Sequence, residues 1–137
     1  MNSISKILSD NDTGKTGSHQ AGILVPKSPA VLRFFPPLDR AQKNPRAVLR
    51  LTESTGKEWR FTFIYYNNSL FGGTRDEYRL THISEFIRSH NLKAEDEVIL
   101  SRDEHGTFHV SFRRRSSSRV GSDRVLRLRP GWKVLSI

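Results

Sequence analysis

The sequence predicts a mainly β fold, a small closed or half-closed barrel, from three observations. Its apolar runs are short and rich in aromatic and β-branched residues. Turn residues separate them at close intervals. Only two stretches read as helices, both short, so the alternation of strand and helix that builds a parallel sheet is missing. A rigid barrel of this kind gives protruding loops a firm base.

Ala21-Gly22-Ile23-Leu24-Val25 is the first strand candidate, closed by Pro26. Ser28-Pro29 then reads as a helix cap with proline at the first helical position. The short helix it opens, over 30–35, is stopped by Pro36-Pro37. After a polar connection, residues 47–52 form a strand, Ser54-Thr55-Gly56-Lys57 a turn, and residues 59–66 a strand dominated by Trp59, Phe61, Phe63, Ile64 and Tyr65. Residues 78–81 are a further strand. A short helix follows over 84–90, with Ser84 or Thr81 as its cap. Val98-Ile99-Leu100 and residues 108–112 form a hairpin around Asp103-Glu104-His105-Gly106. Residues 114–122 show no apolar period. Residues 124–137 read either as a strand pair turned at Pro130-Gly131 or as a linker. The domain is expected over 1–113, with 114–137 a basic C-terminal segment read as a linker.

The chain has 137 residues and a formal net charge of +9. This length favours one domain with a core that needs no covalent staples. Without cysteine, disulfides and thiolate metal sites are excluded. No stretch approaches membrane-spanning length, and a cytoplasmic protein with no membrane partner is expected. The positive charge suggests a polyanionic partner. Its distribution is uneven: residues 113–137 carry eight cations against Asp123 alone, which leaves +2 for residues 1–112. The basic stretch is either a nucleic-acid contact or a solvated linker.

Two polar segments bordering strands are more informative than the total charge. The first runs from Asn11 to Gln20 and the second from Asn67 to Arg79. Arg75, Glu77 and Arg79 are spaced by two, so in an extended segment all three side chains take one face, with Asp76 and Tyr78 on the other. An arginine fork meets the two acceptors of guanine in the major groove, and a glutamate accepts from the amino group of the paired cytosine. The plainer reading is a surface strand with weak alternating ion pairs. Gly72-Gly73 lets the backbone turn sharply or approach a phosphate. Gly14-Lys15-Thr16 invites a phosphate-loop reading, but Ser9 stands where the first glycine belongs, and a strand follows instead of a helix. The segment suits a groove-contacting arm better; a flexible tail is the alternative.

His105 and His109 flank a turn, which argues against a shared metal, and His82 and His90 show no obvious partners. No nucleophile–base pair or acidic nuclease constellation is present. A non-catalytic domain without cofactor or metal is expected.

Asn11-Asp12-Thr13-Gly14 with Gly17-Ser18-His19-Gln20, Ile64-Tyr65-Tyr66-Asn67, and Phe71-Gly72-Gly73-Thr74-Arg75-Asp76-Glu77 with Arg79 resemble the N-terminal effector domain of the restriction endonuclease EcoRII. Residues 86–92 followed by Lys93-Ala94-Glu95-Asp96-Glu97-Val98 are similar to the helix-then-strand element of plant B-three DNA-binding domains, which share that fold. The resemblance covers residues 8–112. It implies an open DNA-binding pseudobarrel of about seven strands with two short helices. It also implies that one domain copy grips the major groove of a CCWGG-like double-stranded site. The N-arm would use Asn11, Asp12, Thr13, Lys15, Thr16, Ser18, His19 and Gln20. The C-arm would use Ser69, Gly73, Thr74, Arg75, Asp76, Glu77, Tyr78 and Arg79. Arg33, Tyr66, Asn67 and Asn68 are expected on the DNA backbone. Gly73, Tyr78 and Leu24 depart from the lysine, lysine and tyrosine expected there, and Glu95 replaces a glycine usual in the plant domains. A bacterial DNA-binding regulator and a basic RNA-binding barrel are the alternatives. The arms are nearly free of the stacking aromatics that single-stranded RNA readers need.

Overall fold

The computed structural model describes residues 2–14, 22–115 and 131–136. These residues form one eight-stranded sheet in the order β2-β5-β4-β3-β7-β6-β1-β8. The strands are β1 (Asn2–Ile7), β2 (Ile23–Val25), β3 (Arg46–Thr52), β4 (Glu58–Tyr66), β5 (Glu77–Thr81), β6 (Glu97–Arg102), β7 (Phe108–Arg113) and β8 (Gly131–Ser136). Helix α1 spans Pro29–Leu32 and α2 spans Ser84–Ser89. The β3–β7 pair is parallel, joining Leu51 to Phe108 and Thr52 to His109, and the other pairs are antiparallel.

Alternation along β4 sends Trp59, Phe61, Phe63 and Tyr65 inward and leaves Glu58 and Arg60 exposed. Leu49 and Leu51 of β3 and Leu80 of β5 join the same core. The helices cover opposite ends of it. Phe86 of α2, fully buried, meets Trp59, Phe61 and Phe112 edge-on. Phe34 and Phe35, just beyond α1, meet Phe108 and Phe63 instead.

The sheet curls until its two edge strands meet. The Trp132 indole of β8 donates to the carbonyl of Leu24 in β2 across 2.8 Å and rests edge-on against Phe35. A nearly closed pseudobarrel results, with eight strands where about seven were expected. We predict that Trp132→Phe, which keeps the ring but not the donor, lowers stability by about 1 kcal/mol in denaturant titrations.

One strand escaped the sequence reading, and a second was only one of two readings. In β1 the apolar residues Ile4 and Ile7 are three apart, so no alternation shows. The strand is nonetheless buried from Ile4 to Ile7, paired to β6 on one side and β8 on the other. Buried Lys6 is matched there by Asp12 at 3.2 Å. The second is β8, which corrects the expectation that all of 114–137 is a linker: residues 131–136 belong to the sheet, with Trp132 and Val134 against the core. Six arginines precede β8 in 114–129, and its pairing partner is more than a hundred residues away. Residues 116–130 lie outside the described residues.

The expected caps also change. Ile83 is the N-cap of α2, without a side-chain bond, and Ser28 serves α1 through its carbonyl rather than its hydroxyl. Glu95 takes the left-handed conformation of the glycine it replaces, at φ 77°. Its turn is tied to the end of β1 by Glu95 N–H to the Leu8 carbonyl at 2.8 Å, and its carboxylate meets Arg115 at 2.5 Å.

His82, His90 and His109 have structural partners. His90 Nε2 lies 2.9 Å from Glu53, whose other oxygen accepts from the Trp59 indole at 2.8 Å. His82 meets the hydroxyl of Thr62 at 3.0 Å. His109 lies 3.0 Å from Asp103, and with the Thr107 and His105 amides it holds that carboxyl down at about 2. Among the described residues no group of three His, Asp or Glu could hold a metal, and no helix is long and apolar enough to cross a membrane.

Candidate nucleic-acid interface

The C-arm leaves β4 at Asn67. A 3-10 turn, Asn68–Phe71, follows and ends at Gly72, whose φ of 90° favours glycine. Gly73 then passes so close to Asn68 that a Cβ at this position would lie 2.8 Å from the Asn68 Cβ. The expected lysine would not fit here without moving the arm. The Gly73 amide donates to the Asn68 carbonyl at 2.8 Å, and the Ser69 amide to the Arg75 carbonyl at 2.9 Å. Ser69 and Thr74 are exposed along this loop.

Where the arm enters β5, Arg75, Glu77 and Arg79 stand together as their spacing predicts. Glu77 Oε2 accepts from Arg79 Nε and lies 3.5 Å from Arg75 Nη2. The guanidinium of Arg75 also lies 3.7 Å from the ring centre of Tyr66. Arg79 makes a further bond, from Nη1 to the Gly22 carbonyl at 3.2 Å, which ties the C-arm to the foot of the N-arm. Hydrogen bonding to Arg79 is the largest cause holding the Glu77 carboxyl below its usual range. The Arg75–Glu77 pair is largely exposed, and such pairs contribute only about 0–1 kcal/mol to fold stability. The row does hold two guanidinium forks in fixed positions on an accessible surface.

Asp76 and Tyr78 take the opposite face. Asp76 accepts from Tyr65 Oη and from Lys27 Nζ, each at 2.6 Å. The Lys27 hydrogen bond, then that of Tyr65, holds its carboxyl below the usual range. Tyr78 stacks on Tyr65 with ring centres 4.2 Å apart. These two residues shape the arm from beneath. Lys27 was not anticipated, because its partner is forty-nine residues away and only the β2–β5 pairing brings them together.

In the N-arm the described part ends at Gly14, so Lys15, Thr16, Ser18, His19 and Gln20 lie outside the described residues. Asn11 is exposed, and the hydroxyl of Thr13 donates to the Asp10 carbonyl at 3.0 Å. Asp12 turns inward. Its carboxylate accepts from the Ser9 amide at 2.9 Å and pairs with Lys6, with a side chain only 8% exposed. It closes the turn at the arm's foot.

The expected backbone contacts divide. Tyr66 lies under Arg75 at the arm. Asn67 is fully buried, receives the Asn44 amide at 2.7 Å, and donates to the carbonyls of Gln42 at 2.7 Å and Arg40 at 3.3 Å. Its side chain braces the loop before β3 against the C-arm. Asn68, half-buried beneath Gly73, supports the turn. Arg33 lies apart, beside a hollow of about 150 Å³ lined also by Asn2, Ser3 and Arg102, at the end of β1 remote from the N-arm. Between the arms is a cleft of about 550 Å³, lined by Lys6, Ser9, Asn11 and Asp12 on one side, Leu24 and Arg79 on the other, and Trp132. The place of Trp132 in this cleft had no local sequence signal.

The sequence matches the family described as restriction endonuclease EcoRII, N-terminal, over residues 2–107. It is 38% identical to the type II restriction enzyme EcoRII of Escherichia coli over 91 residues, covering 64% of this chain and 22% of that protein. It is 32% identical over 127 residues to the AP2/ERF and B3 domain-containing transcription factor RAV1 of Arabidopsis thaliana, covering 90% of this chain and 33% of that protein. Auxin response factor 10 of Oryza sativa subsp. indica is 32% identical over 133 residues, covering 95% of this chain and 18% of that protein. The chain thus spans a third or less of the length of these relatives. Among solved structures, the Arabidopsis FUS3–DNA complex superposes with a TM-score of 0.63 at 22% identity, covering 82% of this chain and 96% of that one, a likeness of fold. With the family matched over most of its length and the pseudobarrel shared with that structure, this chain belongs to the family of EcoRII N-terminal domains.

Proposed function

We propose that this domain binds double-stranded DNA sequence-specifically, as the specificity or effector domain of a type II restriction endonuclease. One copy grips the major groove of a short CCWGG-like site between its N-arm, residues 11–20, and its C-arm, residues 69–79. The domain itself is non-catalytic, and cleavage belongs to a nuclease domain that follows it in the whole protein. The observation that carries this reading is the Arg75–Glu77–Arg79 row, two guanidinium forks held by one carboxylate on an accessible strand face. That set supplies donors for guanine and an acceptor for cytosine. Family membership and the DNA-bound state of the FUS3 structure support it.

A gel-shift competition between a CCWGG duplex and a scrambled duplex of equal length tests it. The CCWGG duplex is expected to displace the probe at much lower concentration. Equal competition would overturn the specificity. Stronger competition by a single-stranded or structured RNA would transfer the reading to RNA.

A further inference from the structure

The strand register extends the reading face beyond the arms. Leu24 of β2 stands opposite Arg79 of β5, Arg79 opposite Ile64 of β4, and Ile64 opposite Arg46 of β3. Four residues along β4 from Ile64, Arg60 stands directly opposite Arg50 of β3. Side chains two and four apart on a strand share a face. Arg46, Arg50 and Arg60 therefore point outward on the same face of the sheet as Glu77 and Arg79, and all three are exposed.

Like charges directly opposite on neighbouring strands destabilise a sheet. Among the described residues neither Arg50 nor Arg60 forms an ion pair, although Glu58 lies two residues from Arg60. The contrast with the C-arm is chemical. There a carboxylate sits between the guanidinium groups and aims them, which suits base edges. Here two uncompensated forks face each other, which suits an anion bridging them.

We propose that Arg50 and Arg60, with Arg46, form a second contact surface that holds the phosphate backbone of the duplex flanking the site read by the arms. The proposal rests on the DNA reading above. Four residues of strand advance about 13 Å at roughly 3.3 Å each, less than the roughly 17 Å of half a turn of B-DNA. One duplex held by the C-arm thus comes within reach of the arginine pair. The surface adds affinity without sequence preference, since phosphates carry none.

The test is the double variant Arg50→Gln, Arg60→Gln. Its binding to CCWGG and scrambled duplexes with long flanks is followed by fluorescence anisotropy between about 50 and 200 mM salt. The variant is expected to weaken on both duplexes by the same factor, with the preference ratio unchanged. The slope of log K against log salt is expected to flatten by about 1.8, roughly 0.9 for each phosphate no longer neutralised. Arg50→Lys with Arg60→Lys, which keeps the charges, is expected to restore most of the slope. An unchanged slope in the Gln variant, while the wild-type domain still prefers CCWGG, overturns the second surface and leaves the arms intact. A fall in the preference ratio shared by the Gln and Lys variants also overturns it, because it would mean that the arms had been displaced. A wild-type domain without preference overturns the site reading instead, and the slope difference then still decides the arginine pair.

Discussion

Arg79→Ala is expected to reduce specific DNA binding more than any other single substitution in the C-arm. Three losses coincide. The fork of Arg79 is removed, and a bidentate arginine–guanine contact discriminates by roughly 1–3 kcal/mol. Glu77 loses the bond that most strongly holds its carboxylate ionised and oriented. The Gly22 carbonyl loses its donor, so the foot of the N-arm is no longer tied to β5. Arg75→Ala removes one fork and its stacking on Tyr66 but leaves the Glu77–Arg79 bond in place. The preference for CCWGG over duplexes altered one pair at a time is therefore expected to fall roughly 10- to 100-fold for Arg75→Ala and further for Arg79→Ala. Stability should change little in Arg75→Ala, since a largely exposed ion pair contributes about 0–1 kcal/mol. Competitive gel shifts with the folded variants measure this. A preference ratio unchanged in Arg79→Ala would remove the residue from the reading surface.

Asn67→Ala is expected to destabilise the domain by about 2–4 kcal/mol, because it leaves a buried amide and two carbonyls without their partner. The Asn44 amide and the Gln42 and Arg40 carbonyls all turn toward this one side chain. Leucine would not rescue it, since the vacated groups are polar and enclosed. Denaturant midpoints at constant m-value report the loss. The salt slope of DNA binding, measured at a concentration where the variant is folded, is expected to stay unchanged. A slope flatter by about 0.9 with unaltered stability would restore Asn67 as a phosphate ligand.

These two residues mark how far local pattern carries. The period of two in Arg75, Glu77 and Arg79 already placed them on one face, and the structure keeps them there because β5 is extended from Glu77. The same period assigned Asp76 and Tyr78 to the other face, where they meet Tyr65. Asn67 looks identical to Asn68 in the sequence. Only the loop 40–44 folding back onto the C-arm buries one of them completely and leaves its neighbour half-exposed.

Strands with aromatic or β-branched alternation were legible for the same reason: β3, β4, β5 and the β6–β7 hairpin each announce an inner face through local spacing. β1 and β8 were not. Their apolar residues are few, and their burial comes from pairing with each other and with β6, across separations no local pattern encodes.

By itself the sequence determined the β class and the face on which the arginine–glutamate row stands, because side-chain direction follows from strand periodicity alone. The tertiary structure decided that the barrel closes through Trp132 against Leu24, that Asp12 and Asn67 turn inward, and that Arg50 faces Arg60 on the same sheet face as the arginine–glutamate row. Each of these depends on which distant strand lies alongside, and that is settled by how the whole core excludes water rather than by any residue's neighbours in the chain.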